Sequence, residues 1–289
     1  MTGGFCFYRK GKVKEEISKE TQKRVDGLFE IPDPPKISGT SSENVMDHPI
    51  LKELGVEMVK VDGGSFRMGG SMHWAISVFK MFGNEGSLIS GRPAHEVKLK
   101  DFYIGKYPIT QSQWAKVMGS NPSSFKGDLL RPVENVSWVD CQNFLEKLKE
   151  LTKIYFRLPT ESEWEFAAKG GNMSKGYTYA GSNKLMEVGW YGKNSEGSTH
   201  PVGRKIPNEL GIYDMSGNVR EWCEDDGHEN YKGAPSNGSA WVDKNRGSYR
   251  VSRGGSWYFA FPVCRSVHRS QEHKASRHDD VGFRLALSS

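Results

Sequence analysis

The chain has 289 residues, 36% apolar and 11% aromatic, with 33 glycines, eight tryptophans and four cysteines. That length can bury a sizeable core in one large domain or two small ones. Its 40 basic and 35 acidic residues leave a charge of +5 spread along the chain with no basic arm, which excludes a nucleic-acid binder. No apolar run is long enough to span a bilayer.

Residues 1–50 read as a charged appendage. Positions 13–25 are dense in charge (Lys14-Glu15-Glu16, Lys19-Glu20, Lys23-Arg24) and compatible with a helix, but offer few apolar side chains to bury. Ile31-Pro32-Asp33-Pro34-Pro35 then forbids regular structure, and residues 38–42 continue as linker. Residues 1–6 hold no signal-peptide hydrophobic stretch, so any export signal is expected to lie outside this chain. The folded domain is expected over 51–289. Within it, residues 58–69 read as strand, Gly63-Gly64 turn and strand, a hairpin. Residues 70–92, broken by Gly and Ser, read as an excursion, and 95–104 alternate as one strand.

Two helices follow with start signals. Thr110 caps one, with Gln113 completing the box, and it runs to Met118 before Gly119. Ser137-Trp138-Val139-Asp140 opens the other, on which Trp138, Cys141, Leu145 and Leu148 share an apolar face. Cys141 is therefore expected in the core. A third, short helix starts after Thr160, capped with Glu163. Glu161, Glu163 and Glu165 favour its N-terminal dipole and read as structural rather than catalytic. Residues 170–200 and 226–248 read as loop, separated by a turn at Ser216-Gly217-Asn218 and a strand carrying Val219, Glu221 and Trp222. Long loops inside a compact domain are usually functional.

The tail, 250–287, has two ends that look like core strands, Arg253-Gly254-Gly255-Ser256-Trp257 and the alternating Gly282-Phe283-Arg284-Leu285-Ala286-Leu287. Between them, residues 258–263 and 268–280 keep no helical or strand period and crowd Tyr, Phe, His, Ser, Gln, Arg and Asp together. A framed irregular segment of that composition suits a binding loop. The four cysteines, Cys6, Cys141, Cys223 and Cys264, form no Cys-x-x-Cys, so neither a zinc ribbon nor a thioredoxin-type pair is indicated.

Six blocks occur in order: 63–69, 102–110, 157–165, 207–222, 253–257 and 282–284. Together they resemble the formylglycine-generating-enzyme/sulfatase-modifying-factor family over roughly 56–287. The resemblance implies an α+β, C-type lectin-like fold with small twisted sheets, two main helices and long loops. It also implies, for oxidase members, a cysteine pair and copper in the segment after Arg-Gly-Gly-Ser. Here that segment holds only Cys264, with no second thiol to share a soft metal or exchange a disulfide, so the oxidase chemistry is not expected. An iron-dependent branch on this fold uses a histidine constellation. His95, His200, His228, His268, His273 and His278 show no ligand spacing for it, and no cofactor is expected. Asn218 and Glu221 flank a turn where relatives can hold calcium, and are expected to form a hydrogen-bonded turn instead.

A third branch, variable proteins diversified by retroelements, keeps the frame Arg253-Gly254-Gly255-Ser256-Trp257, Cys264-Arg265-Ser266, Arg269, Arg277 and Gly282-Phe283-Arg284-Leu285-Ala286 while positions between vary. Its template Asn codon, AAC, changed at either adenine, can encode Tyr, Phe, Ala, Val, His, Ser and Asp but never Gln, Glu, Lys, Trp or Met. Gln271, Glu272 and Lys274 fail that test. The resemblance thus implies a non-enzymatic ligand-binding protein, displayed at the cell surface as a monomer, with a protein or glycan as ligand. Its expected solvent-facing patch is Trp257, Tyr258, Phe259, Ala260, Phe261, Val263, His268, Ser270, His273, Ser276, His278, Asp279 and Asp280.

Overall fold

A computed structural model gives the fold of residues 47–70 and 91–289, all within a unit spanning Asn44–Ser289. The charged segment 1–46 and positions 71–90 of the expected excursion lie outside the described residues. The strands flanking Gly63-Gly64 do not pair with each other, so the expected hairpin is absent. Instead β1 (Met58–Val61) lies antiparallel to β4 (Phe102–Gly105), and β2 (Ser65–Met68) antiparallel to β3 (His95–Lys98), in separate sheets. The single strand expected over 95–104 breaks between β3 and β4 for the same reason: the two segments change sheet together. Where they meet, Gly63 N donates to Asp101 Oδ1 at 2.9 Å and Leu99 N to Gly64 O at 2.8 Å. A Cβ at Gly63 would stand 2.5 Å from the Leu99 carbonyl oxygen, so glycine there permits a close backbone approach rather than a tight turn.

The tail closes both larger sheets. β9 (Ala286–Ser288) pairs with β4 to complete a three-stranded sheet ordered β1-β4-β9. β5 (Arg220–Asp226), β6 (Tyr249–Arg253), β7 (Arg269–His273) and β8 (Val281–Gly282) form a second sheet ordered β7-β6-β5-β8, with β5 and β8 parallel. Two expectations change here. The segment 268–280, read as irregular, contains β7, an edge strand that pairs with β6 through its backbone while carrying no apolar side chain to mark it. The strand read over 282–287 is split at residues 283–285 between the two sheets, and it is buried on both faces rather than one.

The helices start where their caps stand. α1 (Pro49–Leu54) opens the domain, and α2 (Gln111–Met118) begins at the Thr110/Gln113 box and stops at left-handed Gly119. α3 (Trp138–Thr152) begins at the Ser137/Asp140 box and puts Trp138, Cys141, Leu145 and Leu148 into a core shared with Trp222, Phe283 and Leu285. Cys141 is fully buried and burial pushes its thiol well up, as a core residue should be. α4 (Glu161–Ala168), capped by Thr160 and Glu163, is buried along its whole length. Its three acids do more than favour the dipole: Glu161 pairs with Arg269, Glu163 with Arg157, and Glu165 with Lys169 and Arg253. Between residues 170 and 200 the chain is mostly loop, apart from a 3-10 turn (Gly171–Met173) and the single-turn α5 (Leu185–Val188). Among the described residues no helix is long and apolar enough to cross a membrane.

Candidate functional site

The tail's frame is built from buried arginine–carboxylate pairs. Arg253, at the end of β6, lies between Glu165 and Glu161, and its other NH groups hold the carbonyls of Ser266 and His268. Arg284, fully buried, forks onto Glu221 at 2.6 and 2.7 Å. Such pairs cost desolvation energy on folding, but losing one partner strands a charge, so each holds its neighbours firmly in place. After Arg253 the chain turns through Gly254 and Gly255, both at positive φ; a Cβ on Gly255 would meet Cys264 Sγ at 2.6 Å.

The first arm of the expected patch emerges from this turn. Trp257 is half-buried: its ring meets Phe125 edge-on at 5.1 Å, and its indole N–H donates to Asp279 O at 3.0 Å. Tyr258 is 56% exposed and Phe261 40%, Ala260 is exposed, and Phe259 is half-buried, its ring centroid 5.2 Å from the Arg220 guanidinium carbon. Rings 257, 258 and 259 follow one another edge to face at 5.6 and 5.7 Å, an arrangement that stiffens the arm without hiding it. Val263 is half-buried in a 3-10 turn (Phe261–Cys264).

The second arm is less uniform than expected. His278 and Asp279 are exposed, and Ser270, His273 and Ser276 are half-buried, with His273 edge-on to Tyr249 at 5.9 Å. One residue departs outright from the solvent-facing expectation. Asp280 is buried: its carboxylate accepts from Arg220 at 3.0 and 3.1 Å and from Ser256 Oγ at 2.9 Å, which makes it part of the frame. His268 is half-buried, and burial, with Arg265, Arg253, Arg220 and Arg269 around it, holds its pKa down at about 3. Its imidazole is therefore neutral at physiological pH. Trp257 is joined to Asp279 by their hydrogen bond, and Phe259 to Glu272 through Arg220. Arg220, Ser256, Glu272 and Phe125 were missed as supports of this face. Ser256 left a trace as a member of the kept frame, and Glu272 in the codon test it fails.

Copper does not fit: Cys264 is fully buried with its thiol pushed up to about 12 by burial, and it packs with Tyr179, Leu185, Val188 and Tyr191. Cys223 belongs to a different core cluster, and Cys141, Cys223 and Cys264 are all free. Calcium does not fit Asn218 and Glu221 either. Asn218 spends its amide on the backbone of His200, at 3.0 Å in both directions. Glu221 accepts from Trp164 and from Arg284, whose positive charge already occupies the place of a cation.

Comparison with known proteins places the fold. Residues 48–289 match the sulfatase-modifying factor enzyme 1-like domain. The chaperone protein LppX of Paenibacillus barcinonensis is 36% identical over 242 residues, covering 66% of this chain and 82% of LppX. The serine/threonine-protein kinase pkn1 of Chlamydia pneumoniae is 28% identical over 84% of this chain, but the chain spans only 39% of that kinase's length. Among solved structures, Treponema denticola variable protein 1 superposes with a TM-score of 0.69 at 30% identity, covering 81% of this chain and 95% of that one. The mixed helix and sheet architecture is that of the C-type lectin-like, formylglycine-generating-enzyme type. With the family domain matched from residue 48 to the last residue, the chain belongs to the sulfatase-modifying factor enzyme 1-like family.

Proposed function

We propose that this chain is a non-enzymatic ligand-binding protein whose tail displays a variable face, made by Trp257–Phe261 and Val263 and by Ser270, His273, Ser276, His278 and Asp279, to a protein or glycan partner at the cell surface. One observation carries the reading. Arg253, Gly254, Gly255 and Ser256 before the face, and residues 280–287 after it, are buried, while Tyr258, Ala260, Phe261, His278 and Asp279 between them are exposed. Side chains placed in this way can change without disturbing the core, and exposed aromatics on a stiff arm supply anchoring area at low entropic cost. The likeness to Treponema denticola variable protein 1 supports the same reading. Cys264, buried and protonated in a cluster that holds no other cysteine, argues against thiol oxidation chemistry.

The test compares the full chain with Tyr258→Ala/Phe261→Ala on arrays of glycans and of extracellular proteins. Binding by the parent and not by the equally folded variant is expected. Equal binding by both removes the face. In parallel, formation of formylglycine from a cysteine-containing sulfatase peptide, with copper and oxygen supplied, at any catalytic rate would establish an enzyme instead.

A further inference from the structure

Arg220 starts β5 one residue beyond the turn made by Gly217 and Asn218, both at positive φ, and its side chain runs beneath the face just described. It makes three kinds of contact there. Nη1 reaches Glu272 Oε1 at 2.6 Å on β7; Nε and Nη2 fork onto the Asp280 carboxylate at 3.1 and 3.0 Å; the guanidinium plane lies 5.2 Å from the Phe259 ring. Its backbone N–H also donates to Asp280 O at 2.8 Å. Asp280 in turn takes the Ser256 hydroxyl at 2.9 Å, and that oxygen accepts from Tyr258 N at 3.4 Å. One side chain therefore touches the aromatic arm, the edge strand and the returning segment. Although burial works against its charge, Asp280 and Glu272 keep the guanidinium protonated.

We infer that Arg220 is the positioning residue of this face, and that Glu272 and Asp280 are fixed points within it rather than free positions. The inference rests on the ligand-binding reading above. Two independent facts converge on it. Glu272 and Asp280, from two different segments of the tail, both accept from the one Arg220 guanidinium, and Asp280 is the one member of the expected patch that is buried. Replacing either acid leaves part of a buried guanidinium without its acceptor, a cost that the exposed positions 258, 278 and 279 do not carry.

The test needs no ligand. A library of the full chain, randomised at 258, 261, 272, 278, 279 and 280, is displayed on yeast and selected by protease resistance alone. In the parent background Asp or Glu is expected at 272 and 280 at least about tenfold more often than at 258, 278 or 279, since breaking a buried pair is costly. In an Arg220→Met background that enrichment is expected to vanish. Acids tolerated no more at 272 and 280 than elsewhere, or enrichment at 280 that survives Arg220→Met, overturns the inference. Where Arg220→Met yields no resistant clone, the same comparison is made in Arg220→Gln, and enrichment at 280 that survives there likewise overturns the inference. Restriction at 258, 261 and 278 would instead remove the variable-face reading while leaving the Arg220 pairs standing.

Discussion

Asp214 offers the sharpest quantitative test of the buried frame. It sits at φ 59, is 3% exposed, and accepts Gly203 N at 2.8 Å through Oδ2, while Oδ1 has no hydrogen-bond partner. Burial moves its pKa from the ordinary 3.8 to about 6, with Glu221 adding and the Gly203 N–H and Arg284 opposing. The folded state thus binds more protons than the unfolded state between these values. The contribution is fully present below pH 3.8, declines as the pH rises through about 6, and stays lost above it. A change from 3.8 to about 6 corresponds to about 3 kcal/mol. Asp214→Asn keeps the acceptor for Gly203, tolerates the left-handed backbone, and cannot titrate. Urea unfolding of both proteins from about pH 4 to about pH 8 should show the variant gaining about 2.5 kcal/mol on the parent across the range. A difference that is flat with pH, or that swings the other way, refutes the assignment of a neutral buried carboxyl.

The frame and the face should respond differently to truncation. Trp222, fully buried with its indole N–H on Val136 O at 3.0 Å, should lose about 3–5 kcal/mol on Trp222→Ala, whereas Tyr258→Ala should stay within about 0.5 kcal/mol in the same denaturant titration. Arg284→Met strands the Glu221 carboxylate in the core and should cost about 3–5 kcal/mol, read as a lower urea midpoint at unchanged slope. Thr160→Ala removes the acceptor for Glu163 N and should cost about 1 kcal/mol, seen as a shift in melting temperature of a few degrees.

Much of the fold was legible residue by residue. Thr110 with Gln113, Ser137 with Asp140, and Thr160 with Glu163 announced three helix starts, because a cap and its box lie within four residues and need nothing from the rest of the chain. Strand partners were not legible. Gly63-Gly64 looks like a hairpin turn until residues 99–101 are brought against it, and β7 has no apolar alternation because its stability comes from backbone pairing with β6. In the candidate site, the Gly-Gly break and the aromatic arm were readable, but the division between face and frame was not.

Asp279 and Asp280 make that limit concrete: adjacent, identical residues, one exposed and one buried against Arg220, a residue 60 positions away. By itself the sequence determined the helix starts, the family blocks and the absence of a thiol pair around Cys264, all matters of local identity and spacing. Only the tertiary structure decided which strands pair, which histidine is held neutral and which aspartate belongs to the frame. Those depend on charges and backbone groups brought together from distant positions, and their energies arise only once water has been excluded between them.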